Sequence, residues 1–282
     1  MAETAFQKQF RQEMIAGFEQ NQSLLRDTVT TEAVVKGNEA EFLVADSGGA
    51  SAVTRGVNGM IPSRGDDNTQ TTVTMTEWHD LVKKTRFNIF GSQGDQRSLM
   101  QRTTMSVINR KIDSDIITEL NTATVDTSTA TTASLALVLK AKTILQNSDV
   151  PWDNNIFGLI TPAFEAYLLQ IAAYTSEDYV DLKPLPGGGG WTDKPKVKNW
   201  LGINWIVHPN LPGKATNAEK CFMYHKSAIG HAANTGGMST AVGYDDEQDY
   251  SFARCSVFMG TQILQNSGVV VMNHDGSAYV GA

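Results

Sequence analysis

Along residues 95–120, apolar side chains recur every three or four positions. Met105, Ile108, Ile112, Ile116 and Leu120 form one stripe, and Arg97, Gln101, Arg102, Asn109 and Asp113 fill the other face. That spacing predicts a long amphipathic helix, with Asp95 as its N-cap after Gly94. At 1.5 Å per residue it extends roughly 40 Å, the reach of a structural spine. A similar stripe of Phe6, Phe10, Met14 and Phe18, with Ile15 beside it, predicts a helix over 4–25. A helix this short is marginal alone. Its aromatic face needs a surface, either on its own domain or on a neighbouring subunit. Further helices are predicted at 134–147 and from Thr161-Pro162, where Thr caps and Pro fits the first turn. Phe164, Leu168 and Ile171 are the core face of the latter.

Period-two patterning predicts strands at 32–35, 40–44 and 71–78, with Val73 and Met75 on one face of the last. The polar, glycine-rich span 47–68 separates them. Together they read as a long β-hairpin with a loose tip and few core residues. A lone hairpin is marginal in water, so something outside it must hold it. More strands are predicted at 155–160, at 201–208 (Leu201, Ile203, Trp205 and Val207 on one face), at 221–225, at 251–258 and at 267–272. A threonine-rich linker, 121–132, ends the long helix. Helices and strands interleave without a βαβ repeat, so the fold class is α+β.

The 282 residues are 41% hydrophobic and 19% charged, with a formal net charge of −7. That sign argues against a protein whose main task is to grip nucleic acid. Two cysteines, Cys221 and Cys255, make no disulfide framework and fit a reducing place of synthesis. The start lacks the basic and apolar regions of a signal peptide. No apolar run approaches the length of a membrane span, so no membrane partner is expected.

The segments that resemble chemistry-bearing motifs each lack a required part. Gly187–Gly190 is followed by Trp191, Thr192, Asp193, Lys194 and Pro195, not by the Lys-Ser/Thr of a phosphate loop. It reads as a mobile surface loop. His79, His208, His225, His231 and His274 are scattered. Cys221 and His225 lie four apart on a strand, on one face but separated, which suits a buried structural pair better than zinc. The acidic run 245–249 lacks calcium-loop spacing and reads as a solvated turn. The Arg64-Gly65-Asp66 tripeptide in a polar loop is a chance match. No catalytic, cofactor-binding or metal-ligating residue is assigned. The basic cluster Lys83, Lys84 and Arg86, just beyond the 71–78 strand, remains open between a subunit interface, nucleic acid and a solvated surface.

The order of elements carries more than any motif. It runs arm helix, long polar hairpin, spine helix, mixed domain and returning strands. Four pieces stand out beside the spine: 55–62 at the hairpin tip, 203–212 entering a proline turn, 222–230, and the ending 258–272. The chain thereby resembles the major capsid proteins of tailed double-stranded DNA phages, which share the HK97-like fold. The resemblance implies an N-terminal arm (1–30), an extended hairpin (31–92), a peripheral domain with the spine (93–132), an axial domain (133–243) and returning strands (244–282). It implies an interface of sibling subunits that uses Phe6, Phe10, Phe18, Arg55, Arg64, Lys83, Lys84 and Arg86. It also implies a structural protein without cofactor, forming pentamers and hexamers of an icosahedral virion capsid assembled in the host cytoplasm. Packaged double-stranded DNA would be met without sequence-specific contacts. A portal and a decoration protein are further expected partners. Because the chain begins almost at its arm helix, a separate scaffolding protein is expected rather than a cleaved prosegment. A cellular shell enclosing protein cargo, an enzyme with an unrecognised pocket, and a tail or adhesion protein are the rival readings.

Overall fold

The computed structural model describes residues 22–31, 34–47, 49–65, 68–91, 96–175, 198–233 and 238–279. In chain order the elements are β1 (Val34–Lys36), β2 (Glu39–Val44), β3 (Thr69–Thr74), β4 (Thr76–Thr85), α1 (Arg86–Gly91), α2 (Gln96–Leu120), α3 (Leu135–Asn147) and β5 (Ile156–Ile160). There follow α4 (Pro162–Leu168), α5 (Ala172–Thr175), β6 (Lys198–Trp200), β7 (Ile203–Val207), β8 (Glu219–His225), β9 (Ile229–Ala233), β10 (Ser239–Asp245), β11 (Tyr250–Ile263) and β12 (Val269–His274). They form two compact units. One holds residues 77–112 and 234–258, together with the chain start to 23. The other holds 24–76, 113–233 and 259–282.

The larger unit is built on a five-stranded mixed sheet of order β12-β8-β5-β7-β6, in which β5 and β7 run parallel. β8 is buried from Cys221 to His225 on both faces, the pattern of a central strand. α3 starts where Ser134 Oγ accepts the Leu137 N–H, and α4 where Thr161 Oγ1 accepts the Phe164 N–H, with Pro162 at the first turn. Hydroxyl caps of this kind satisfy amides that the helix itself leaves unpaired. Trp200, Trp205 and Tyr174 fill the core beside β6 and β7. Gly158 lets the Trp205 ring lie on β5, since a Cβ there would stand 2.7 Å from it. The predicted strand 201–208 is shorter than expected. Leu201 and Gly202 have φ of 59° and 76° and form the β6–β7 turn, so Leu201 does not share a strand face with Ile203 and Trp205.

The hairpin is real, with Glu39 paired to Thr74 through Val44 to Thr69. It has more core than the sequence suggested. Ala40, Phe42 and Val73 are buried with Ala232, and Leu264 packs against them. The chain thus holds the hairpin's base itself. The expected single strand 71–78 divides at Met75: its N–H still bonds Asn38 O, one rung past Glu39–Thr74, and from Thr76 the chain continues as β4 in a different sheet.

In the smaller unit, β10, β11 and β4 lie side by side in that order. One face of β4 meets α2, where Lys111 Nζ stands 3.7 Å from the centroid of Trp78. The spine helix matches its expected span, while Asp95 falls outside the described residues. Ile108, Ile112, Ile116 and Leu120 are buried as predicted, and Met105 is half-buried. Asp113, assigned to the polar face, is buried instead: its carboxylate accepts the Leu24 and Leu25 amides at 3.0 and 3.2 Å. Those bonds also explain why Leu24 and Leu25 are not the end of a helix, since their amides point to α2 rather than to a preceding turn. Most of the predicted 4–25 helix, and the glycine run 187–190, lie outside the described residues.

Candidate subunit-interface surfaces

Beyond the Val44–Thr69 pair the hairpin ladder stops, and the chain runs out into a tip. Local bonds shape it. Gly56 N–H donates to Met60 O at 3.0 Å and Gly59 N–H to Gly56 O at 2.9 Å, with Gly59 at φ 69°, a value that suits glycine. Arg64 Nη1 donates to Ser47 O at 3.1 Å across the loop. Val53, Val57, Met60 and Ile61 all stand in solvent, Val57 wholly so. Between Ser47 and Gly65 the sequence has two arginines, Arg55 and Arg64, and no carboxylate. Four apolar side chains thus stand exposed among the described residues beside two arginines, and Asp46, Asp66 and Asp67 flank the stretch in sequence.

The other expected interface residues fall into two groups. Phe6, Phe10 and Phe18 lie outside the described residues. Lys83 and Lys84 belong to β4, which continues past Trp78, so the basic cluster is not beyond the strand but in it. Alternation sends the two lysines to opposite faces. Lys84 Nζ donates to Gln96 Oε1 at 2.5 Å, while Lys83 Nζ sits 4.4 Å from the centroid of Tyr250. Arg86 opens α1, and its N–H reaches Asp249 O at 3.4 Å. Tip arginines and β4 cations therefore occupy different units.

Beside Arg86 lies the β10–β11 turn, Asp245 to Asp249. Tyr244 donates to Asp249, a bond that raises the phenol's pKa, and Tyr250 bonds Asp245 and holds that carboxylate below its usual range. Phe87 is 79% exposed immediately after Arg86. Sequence reading missed Phe87 and the tip's apolar residues as surface features. The signal was there in principle: isolated apolar residues in a glycine-rich loop have no periodic partner to form a core with.

The buried polar groups serve the larger unit's architecture. Glu219 accepts Thr161 Oγ1–H and the Ala215 N–H, both at 2.6 Å, and Gly276 leaves room for its carboxylate. Burial pushes the Cys221 thiol up to about 12, which makes it an inert core group. His225 bonds Asp153 at 2.9 Å and Ser227 Oγ at 2.7 Å, but the same Nδ1 accepts the Ser227 N–H, so the trio caps a turn. Among the described residues, no group of three or more His, Cys, Asp or Glu side chains could hold a metal ion.

A family model described as phage capsid protein matches residues 2–276. Solved structures give the same answer for the fold. Mycobacterium phage Che8 is 15% identical, with 96% of this chain and 98% of that one covered and a TM-score of 0.69. The capsid of cyanophage P-SCSP1u is 14% identical over 96% and 93%, with a TM-score of 0.68. The capsid of Ralstonia phage GP4 is 12% identical over 96% of both chains, with a TM-score of 0.67. No curated protein sequence matches the chain. The fold is thus the α+β, HK97-like capsid fold.

Proposed function

Since this chain belongs to the phage capsid protein family, we propose that its copies close into an icosahedral shell around double-stranded DNA, each copy laying its hairpin tip on a sibling. The observation that carries this reading is the tip itself. Its base is packed on its own chain through Phe42 and Val73, while Val53, Val57, Met60 and Ile61 stand exposed among the described residues. Burying each side chain contributes roughly 1.5–3 kcal/mol, from which ordering of the loop subtracts. One such contact is modest. Many, closed by symmetry, make a stable shell.

The resemblance supports the finer parts of the reading. The arm, 1–30, and the hairpin, 31–92, reach to siblings. The axial domain, 133–243, meets its copies around five- and six-fold axes, and the returning strands, 244–282, serve the peripheral and axial domains in turn, the stretch to 258 belonging to the smaller unit and β12 to the larger unit's sheet beside β8. A scaffolding protein, a portal and a decoration protein are the external partners, and assembly proceeds in the host cytoplasm. A net charge of −7 keeps the wall from gripping the packaged polyanion, because phosphate contacts dominate such affinity. The family match favours a phage shell over a cellular shell for protein cargo, and over an enzyme.

Replacing residues 45–68 by a two-residue Asn-Gly turn, which suits a hairpin closed at Val44 and Thr69, tests the reading. The expected product is a soluble subunit with native circular dichroism that forms no closed shells in negative-stain micrographs. Closed shells from that variant would overturn it.

A further inference from the structure

The turn at the summit of the hairpin brings a reactive pair of residues into solvent. Gly59 N–H donates to Gly56 O at 2.9 Å and Gly56 N–H to Met60 O at 3.0 Å, with Gly59 at φ 69°. A turn followed by one left-handed residue is a common hairpin connection, and the left-handed place calls for glycine. The residue before it is Asn58, and Asn58–Gly59 is the one Asn–Gly pair in the 282 residues. Asn58 is exposed, as are its neighbours on both sides. The missing Cβ that lets Gly59 take its φ also leaves its nitrogen unshielded towards the Asn58 carboxamide. The surroundings are open too, since a Cβ built on Gly59 would meet nothing beyond its chain neighbours within 4 Å. The bond to Gly56 O restrains the nitrogen, but an exposed bond of this kind restrains it by no more than about tenfold. Other exposed asparagines precede residues with side chains: Asn38 stands before Glu39, Asn121 before Thr122 and Asn217 before Ala218.

We propose that Asn58 is a self-modification site, where the Gly59 backbone nitrogen attacks Asn58 Cγ and closes a five-membered succinimide. The nitrogen–Cγ bond forms as the Cγ–Nδ2 bond breaks, and the amide proton leaves with the side-chain amine as ammonia. Solvent water then opens the ring. Addition at Cγ leaves an aspartyl residue at position 58. Addition at the main-chain carbonyl leaves an isoaspartyl residue, whose chain runs through the former side chain. No atom changes oxidation state, and water is the sole co-reactant. Either product places the first carboxylate in the stretch from Ser47 to Gly65, in sequence between Arg55 and Arg64. The isoaspartyl product also lengthens the main chain by one methylene inside the turn, so the Gly56–Met60 bond loses its register. One consequence rests on the reading that the tip is laid on a sibling: a shell holds the turn closed. The modification therefore marks copies that wait unassembled.

Purified subunits incubated at pH 8 and 37 °C, then digested and read by mass spectrometry, test the chemistry. The tip peptide should exchange NH for O at position 58, in two chromatographic forms, at least tenfold faster than Asn38, Asn121 and Asn217 change. Gly59→Ala is expected to slow the reaction at least tenfold. Alanine at a φ of 69° also strains the turn, so Asn58→Gln serves as a second variant. Its longer side chain closes only a six-membered ring, and it is expected to stay unchanged over the same period. The proposal is overturned if position 58 changes no faster than the other three, because the turn then shields its nitrogen. It is overturned equally if the aspartyl form arises without the isoaspartyl one, or if Gly59→Ala reacts as fast as the original, because water then attacks the side chain directly. Assembled shells read the consequence separately, and change there is expected to be at least tenfold slower than in free subunits. Equal rates, with both products in each sample, overturn the marking of waiting copies and the sibling reading beneath it, while the chemistry at Asn58 stands.

Discussion

Asp113 shows how a single residue escapes pattern reading. Its position in the helical repeat looks like the edge of the polar face, and a carboxylate there is the ordinary choice for a solvated helix. Its burial comes from a chain segment some ninety residues earlier, whose Leu24 and Leu25 amides need an acceptor. Nothing local to α2 encodes that demand. The buried histidines escape for the same reason. His231 Nδ1 bonds Thr261 Oγ1, which in turn donates to Asp115, and His274 Nδ1 meets Thr131 O, with Phe164 and Tyr167 edge-on to its ring. Burial lowers the pKa of both imidazoles. In the unfolded chain they titrate near 6.5. Above that value both states are neutral. Below it the unfolded chain takes protons that the folded chain refuses, so stability falls as pH drops from about 6.5 towards the folded values, by up to about 1.4 kcal/mol per pH unit for each histidine. Asp153 acts in a separate window. Bonds from Asn155 and His225 hold it at about 2, so its contribution persists above about 4 and fades only as pH falls through about 2. Thermal melts from pH 7 to 5 should therefore show declining stability, and His274→Asn should flatten the decline. A profile that stays level over that range, or an unchanged slope in the variant, would contradict this assignment.

Elements with strong periodicity were legible in the sequence: α2, α3, the β2–β3 hairpin, β5, β8 and the cap at Thr161. The elements that were not legible depend on partners. β10, Ser239–Asp245, carries no predicted element, since Gly243 interrupts its alternation, yet Gly243 leaves room for the Phe252 ring, from which a Cβ would stand 2.8 Å away. β6 is three residues long and exists as half of a tight hairpin with β7. Two more glycines decide how the long hairpin is seated. A Cβ on Gly230 would be 2.8 Å from the Phe42 ring, and one on Gly260 would be 2.7 Å from Thr74 O and from Val73. β9 and β11, paired here with Gly260 opposite Ala232, thus present a flat floor for the base of β2 and β3. A backbone oxygen cannot rotate aside as a ring can, so Gly260→Val should lift the hairpin base and cost about 1–3 kcal/mol by overpacking. Hydrogen exchange is expected to report faster exchange at the amides of β2 and β3, with β5 and β8 unaffected. Full protection of β2 and β3 in that variant would show that the floor is not what seats the hairpin.

For the whole molecule, charge and apolar surface pull in different directions, and magnitudes decide between them. Two copies each carrying −7, with centres about 40 Å apart, repel by roughly 5 kcal/mol in unscreened water. At 0.01 M salt the Debye length of about 30 Å leaves on the order of 1 kcal/mol of that repulsion, and at 0.15 M, with about 8 Å, almost none. A rim ion pair at the tip contributes at most about as much as the low-salt repulsion, and salt weakens it as well. The exposed anchors Val53, Val57, Met60 and Ile61 are indifferent to salt at these concentrations, and their burial weakens on cooling. Raising salt from 0.01 to 0.15 M therefore removes more repulsion than attraction. The subunit concentration at which shells first appear should fall over that range, and it should rise again on cooling from 25 to 4 °C. Light scattering from purified subunits measures both. If added salt in this range dissolves shells instead, charge pairs rather than the apolar tip dominate the contact between copies. If cooling strengthens assembly, the uncovered side chains of the tip are not its driving surface.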